Sequence, residues 1–149
     1  MSLAAHLAAY KGPVVVTAAY FGLWYTLLLG LQRSTKYKLL AEYAARGETF
    51  DRYFGQDARM LAADRAVANT QEQMVPFLLS MWLHAVFVSP THATWLGLLY
   101  VVLRSLYPVL LGARLSKTQS KRVFLVTGPC YAIVFYLLGS AVYAVVAPR

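Results

Sequence analysis

The chain carries a single cysteine, Cys130. An intramolecular disulfide, a CxxC redox pair and a thiolate metal cluster are therefore excluded, and any thiol chemistry has to use a sulfur brought by another molecule. Charge is scarce too: 13% of the 149 residues are charged against 59% hydrophobic, far from the composition of a soluble domain. Only six residues are acidic, the last of them is Glu72, and Asn69 is the sole asparagine. A carboxylate kept in so acid-poor a chain has a specific task. Windows of alternating apolar and polar residues are absent, which excludes a membrane barrel, and there is no internal repeat or low-complexity segment. His6, His84 and His92 are not spaced to put two imidazoles on one helical face near a carboxylate, so no metal site is expected. His84 is expected instead to satisfy a neighbouring helix.

Long apolar runs are what the chain has in quantity. Pro13–Leu31 is long enough to cross a hydrocarbon core of about 30 Å at 1.5 Å per residue. No basic segment precedes it, and Arg33, Lys36 and Lys38 follow it, so it reads as a retained span and not a cleaved signal. Further runs cover Met74–Ser89, Ala93–Ala113 and Val123–Ala147. The expectation is an all-α membrane protein, one domain over residues 1–149, with spans at about 13–31, 58–89 (with an extension out of the membrane), 93–113 and 123–147. Asp57 is placed to cap the second helix. Lys36–Arg46 is expected to lie on the membrane surface as a short amphipathic helix.

Basic residues set the orientation. Seven lie between Gln32 and Arg65 inclusive, and Arg114, Lys117, Lys121 and Arg122 lie between the third and fourth spans, whereas Ser89–Thr94 has none. The first and third loops are thus expected in the cytoplasm and both termini on the opposite side. The formal charge of +8 is explained by these loops and by contact with anionic headgroups, and nucleic acid is not an expected partner.

The stretch Asp64–Leu79 organises the rest. At about 100° per residue, Arg65, Asn69, Glu72 and Pro76 fall within a stripe about 60° wide on one helical face. Charges that enter hydrocarbon cost a few kcal/mol each unless they meet a partner or a wet cavity, so the stripe is expected to point into a bundle interior. Arg104 lies within the third span, with Tyr100 and Tyr107 near it around the helix axis. It is a functional-site candidate by position, the structural alternative being a simple salt bridge to Glu72. Small residues in the first span, Ala18, Ala19, Gly22 and Gly30, are expected to allow close helix approach.

Arg65-x-x-x-Asn69-x-x-Glu72-x-x-x-Pro76-Phe77 at the start of the second span, Arg104-x-x-Tyr107 in the third, and four spans in 149 residues resemble the MAPEG family, the membrane-associated proteins in eicosanoid and glutathione metabolism. The compact loops suit a bacterial member. The resemblance implies a homotrimer of four-helix subunits that binds glutathione between neighbouring subunits, with a lipophilic substrate entering from the membrane lipid. Glutathione has two carboxylates, an ammonium and a thiol. Arg65 and Arg104 suit the carboxylates, Glu72 the ammonium and Asn69 the peptide, with Arg33 reaching in from the adjacent subunit. The expected activity is that of a transferase or peroxidase, in which a nearby cation or hydroxyl stabilises the thiolate for attack on an electrophile.

The chain departs from the family pattern in one region. Counting forward from Arg104 to where transferase members carry the activating arginine reaches Thr118–Ser120. The nearby bases are Lys117, Lys121 and Arg122, and Lys121 or Arg122 is the candidate activator, with the Tyr107 hydroxyl as a further candidate near the sulfur. Leu111 stands where several members have a tyrosine, and Gln73 where some do. The alternative is a noncatalytic lipid-binding or scaffold protein, as the five-lipoxygenase-activating member is. A channel is third, since one stripe of three polar residues is thin for a conduction path.

Overall fold

The structure is a computed structural model that describes residues 7–116 and 121–147, and every regular element among them is helical. Four long helices account for most of the chain: α1 (Lys11–Ala45), α2 (Ala58–Phe87), α3 (Pro90–Leu111) and α4 (Phe124–Val146). Helices α1, α3 and α4 are each long and apolar enough to cross a membrane; α4 does so together with the short turn Lys121–Val123 that leads into it. Helix α2 falls short of the same criterion because the polar run Asn69–Gln73 lies at its middle.

Helix α1 is continuous through Ala45, so Lys36–Arg46 is not a separate surface helix. Nothing in Arg33–Ala45 interrupts a helix: that stretch has neither proline nor glycine, and the break comes at Gly47, whose φ of +71° ends it. Within α1, Thr26–Gln32 is wound as a π-helix. Hydroxyls bracket this wide stretch. Thr26 donates to the Gly22 carbonyl at 2.8 Å, and Ser34 donates to the carbonyls of Gly30 and Leu31.

Asp57 caps α2 as its sequence position suggests, accepting the Arg59 backbone N–H at 2.9 Å. Its other oxygen accepts from the Tyr43 hydroxyl at 3.2 Å, and Arg59 bridges on to Glu42 at 2.6 Å. Asp57 thereby ties the end of α1 to the start of α2. Burial pushes its carboxyl up, but the Arg59 side chain and backbone N–H outweigh that and hold it below the ordinary value of 3.8. A depressed value means that the stabilisation is complete above 3.8 and is lost as pH falls through the lower, folded value. Asp57→Ala is expected to cost about 1 kcal/mol, the usual worth of a cap. Asp57→Asn, which can still cap, should blunt the acid-induced fall in melting temperature, measured by circular dichroism in detergent.

The turn between α2 and α3 is tight. Ser89 caps α3 by accepting the His92 N–H, and Pro90 occupies the first turn of α3, where its missing N–H is no loss; it opens α3 as much as it closes α2. His84 meets a neighbouring helix through one ring nitrogen, its Nδ1 lying 2.7 Å from Ser140 Oγ on α4, while its buried Nε2 makes no hydrogen bond among the described residues.

The core runs along the bundle axis through Val16, Tyr20, Phe77, Met81, Tyr100 and Leu137, all fully buried. Phe77 and Tyr100 stack nearly parallel at 3.8 Å between centroids, and Tyr20 tilts against both. Close approach is set by other glycines than those expected. Gly22 and Gly30 meet no neighbouring helix, whereas a Cβ on Gly12 would run into Thr94, and one on Gly97 would lie 2.8 Å from Val16 and 3.0 Å from Met81. Gly97 is where α1, α2 and α3 come together.

Candidate functional site

The α2 stripe forms, but it points outward. Arg65 and Glu72 lie on the outer surface of the single chain, with 47% and 54% of their side chains exposed, and Pro76 is exposed beside them. The expectation of a stripe facing into the subunit is therefore corrected. The face of α2 that packs inward is the next one round, carrying Ala66, Thr70 and Phe77.

Asn69 sits on the border between the two faces, and from there it links exposed to buried groups. Its Oδ1 accepts from Nη2 of Arg104, and its Nδ2 lies 3.5 Å from Oε2 of Glu72, whose Oε1 is in turn 3.7 Å from Nη1 of Arg65. Four side chains thus form a line from the surface into the core: Arg65, Glu72, Asn69, Arg104. Arg104 does not pair with Glu72, which corrects the salt-bridge alternative.

Arg104 is 1% exposed and has no carboxylate partner among the described residues. Its charge is met by the Asn69 amide and by the face of Tyr107, whose ring centre lies 4.6 Å from the guanidinium carbon. The α3 spacing of three residues puts Tyr107 one turn on, on the same side. Nε of Arg104 is buried and makes no hydrogen bond. A buried cation with an unused donor and no counter-anion is an incomplete arrangement, since burying a charge is costly unless it is paired. Chemically it suits an anionic group that arrives from outside the chain.

Two further hydrogen bonds tie α2 to its neighbours, one buried and one exposed. The Tyr20 hydroxyl donates to the Thr70 carbonyl at 2.6 Å, joining α1 to α2, and Gln73 donates to the Tyr131 hydroxyl of α4 at 3.3 Å. Cys130 is buried in the core. These contacts fix the rotation of α2 and hence the direction of the stripe.

The remaining residues singled out from the sequence are not brought to the line within one chain. Arg33 is exposed on α1, in a cleft with Gln32, Lys36 and Tyr37. Lys121 and Arg122 are exposed in the single turn before α4, and neither makes an ion pair among the described residues. Lys117 and Thr118–Ser120 fall outside the described residues. A cleft of about 640 Å³ does not coincide with the stripe either. It opens between α1, the start of α2 and the end of α3, with Leu27, Leu39, Ala63 and Val109 in its walls and Lys38 and Glu42 at its rim.

Asp64 was not singled out from the sequence, yet it anchors the α1–α2 loop. It accepts two bonds from the Arg52 guanidinium, at 3.0 and 2.8 Å, and one from Gln32 at 2.7 Å. The bidentate geometry makes this a strong pair for a partly exposed one. A carboxylate immediately before Arg65 was the available signal.

The comparison with curated proteins found no match. Among protein-family models, that of the MAPEG family matches residues 12–143, nearly the whole chain and every element just described. Its span takes in the α2 stripe and Arg104 alike, and the all-helical bundle, with three helices long and apolar enough to cross a membrane, agrees with it. The chain belongs to the MAPEG family.

Proposed function

We propose that this protein binds glutathione at the Arg65–Glu72–Asn69–Arg104 line and activates its thiol for attack on lipophilic electrophiles, as a membrane transferase or peroxidase. The observation that carries this reading is the buried, acid-free guanidinium of Arg104 at the inner end of a line whose outer end is the exposed Glu72. Glutathione has the matching order of charges. A carboxylate placed at Arg104 fills the unused Nε donor, the ammonium meets Glu72, and Arg65 takes the second carboxylate.

The outward stripe supports a homotrimer. Charges on the lateral face of a membrane bundle are costly against lipid, and a neighbouring subunit over α2 removes that cost and closes the site. Arg33, which makes no ion pair or hydrogen bond with the line in its own chain, then serves the neighbour's site. In this reading the polar end bearing the α1–α2 and α3–α4 loops is cytoplasmic. The bound thiol is activated from the α3–α4 end by Lys121 or Arg122, or by the Tyr107 hydroxyl, since a thiol near pKa 8.5 needs a cation or a donor to ionise at neutral pH.

A second reading, a noncatalytic lipid-binding or scaffold protein, is favoured by two features. Leu111 and Thr118–Ser120 supply neither the tyrosine nor the arginine of transferase members, and the 640 Å³ cleft has mostly apolar walls. Titration calorimetry with glutathione on detergent-purified protein, followed by turnover of an aryl halide, separates them. Arg65→Ala and Glu72→Gln are each expected to weaken binding about tenfold, the worth of one partly exposed charged hydrogen bond. Unchanged binding in both variants removes the site; binding without turnover, in wild type as in Lys121→Ala and Arg122→Ala, selects the second reading.

A further inference from the structure

A second cationic cleft lies on α1, lined by none of the four residues of the line described above. A cleft of about 340 Å³ is lined by Leu28, Leu29, Arg33, Lys36, Tyr37 and Tyr53, with Gln32 and Arg52 at its back. Its charge is of one sign: no acidic residue lines it. Arg52 and Gln32 are occupied by Asp64, whereas Arg33 and Lys36 have no carboxylate partner among the described residues. Both sit near the Tyr37 ring, at 5.7 and 5.6 Å from its centre, and their three-residue spacing puts them on one side of α1.

The floor of the cleft continues into hydrocarbon. Leu28 and Leu29 belong to the apolar part of α1, whose outward face carries exposed Val15, Phe21, Tyr25 and Leu29. At the other edge, the loop tip presents Tyr53 and Phe54, exposed at 85% and 86%. That presentation is fixed, because Asp51 accepts both of their backbone N–H groups at 2.9 Å and Arg52 is clamped to Asp64. Rigidly held aromatics next to unpaired cations, where an apolar helix becomes polar, are the features of a surface set at the headgroup level.

From these contacts we infer that the cleft binds one anionic glycerophospholipid, its phosphate between Arg33 and Lys36, its glycerol against Tyr37 and Tyr53, and an acyl chain along Leu28 and Leu29. The site lies outside the proposed glutathione line of its own subunit; of its residues only Arg33 is shared with that reading, so a lipid phosphate and a neighbour's glutathione are alternative occupants of that one guanidinium, whereas Lys36 belongs to the lipid alone. A neutral lipid satisfies the same apolar floor but leaves its ammonium facing two cations, so the site discriminates by headgroup charge.

Native mass spectrometry of the full chain, released from detergent after incubation with dioleoyl phosphatidylglycerol or dioleoyl phosphatidylcholine, tests this. Wild type is expected to retain the anionic lipid at least about tenfold over the neutral one, the preference two surface cations confer. Lys36→Glu should abolish the preference and Lys36→Arg should keep it, with glutathione binding by calorimetry unchanged in both; Lys36→Gln is the milder variant should the charge reversal impair folding. Equal retention of the two lipids, as a second copy covering the cleft would produce, overturns the inference. So does an undiminished preference in Lys36→Glu and Lys36→Gln, or competition by free glycerophosphate at the lipid's own concentration, which would mark a simple anion site. Because glutathione binding is read separately, its loss or absence bears on the proposed function alone.

Discussion

Asn69→Asp is expected to leave the fold intact and to lower glutathione affinity at least about 100-fold. Among the described residues, Asn69 is the only side chain that accepts a hydrogen bond from Arg104, and Arg104 is otherwise a cation in the core with no carboxylate partner. An aspartate there forms a salt bridge with Arg104, which offsets the loss of the Nδ2 contact to Glu72 and the repulsion between the two carboxylates. The cost falls on the ligand, whose carboxylate would then meet a resident carboxylate; like charges brought together cost several kcal/mol, and about 2.8 kcal/mol is already 100-fold. Asn69→Ala makes the complementary case. It strips the guanidinium of its acceptor and leaves a buried charge facing only the Tyr107 ring, which is expected to destabilise the protein by about 2–4 kcal/mol. Calorimetry with glutathione and thermal melts in the same detergent read the two effects apart. An aspartate variant that binds glutathione like wild type would show that Arg104 does not receive the ligand.

Phe77→Ala is expected to have the largest effect on stability, a loss of about 3–5 kcal/mol. The ring is fully buried, lies flat on Tyr100 at 3.8 Å and supports Tyr20 at 5.2 Å. Its removal opens a cavity where α1, α2 and α3 meet. Tyr100 stands one helical turn before Arg104, so the loosened ring should also blur the position of the guanidinium. Chemical denaturation in mixed micelles should show the midpoint shift, with Phe77→Leu giving a smaller one. If Phe77→Ala unfolds at the wild-type midpoint, the stacked pair does not hold the three helices together.

Part of this was legible in the sequence and part was not, for identifiable reasons. The angular grouping of Arg65, Asn69 and Glu72 follows from helical period alone, and the cap at Asp57 from its side chain and position. Periodicity fixes angles between residues on one helix but carries no information on what each angle meets, which is why the stripe was expected inward and lies outward. The choice of Gly12 and Gly97 over Gly22 and Gly30 as contact points depends on crossing positions between helices, and no single-helix pattern encodes those. The surface helix expected at Lys36–Arg46 failed similarly. A charged stretch after an apolar one reads as a new element, yet without a breaker before Gly47 the backbone continues. The role of Asp64 depends on a partner twelve residues away in the loop, Arg52, and helical period on α2 carries no trace of that contact.

The wide winding at Thr26–Gln32 is a place where the residue count of α1 can change without re-aiming its two halves. Each residue of an ordinary helix advances the chain by about 100°, and a π-helical turn accommodates an additional residue by advancing less per residue. Deleting one residue inside this stretch would therefore restore regular winding while leaving Val16 and Tyr20 before it, and Arg33, Lys36 and Tyr37 after it, close to their present directions around the axis. A single codon lost here would shorten the helix and narrow its turn, with the buried half and the cationic half still facing as they do.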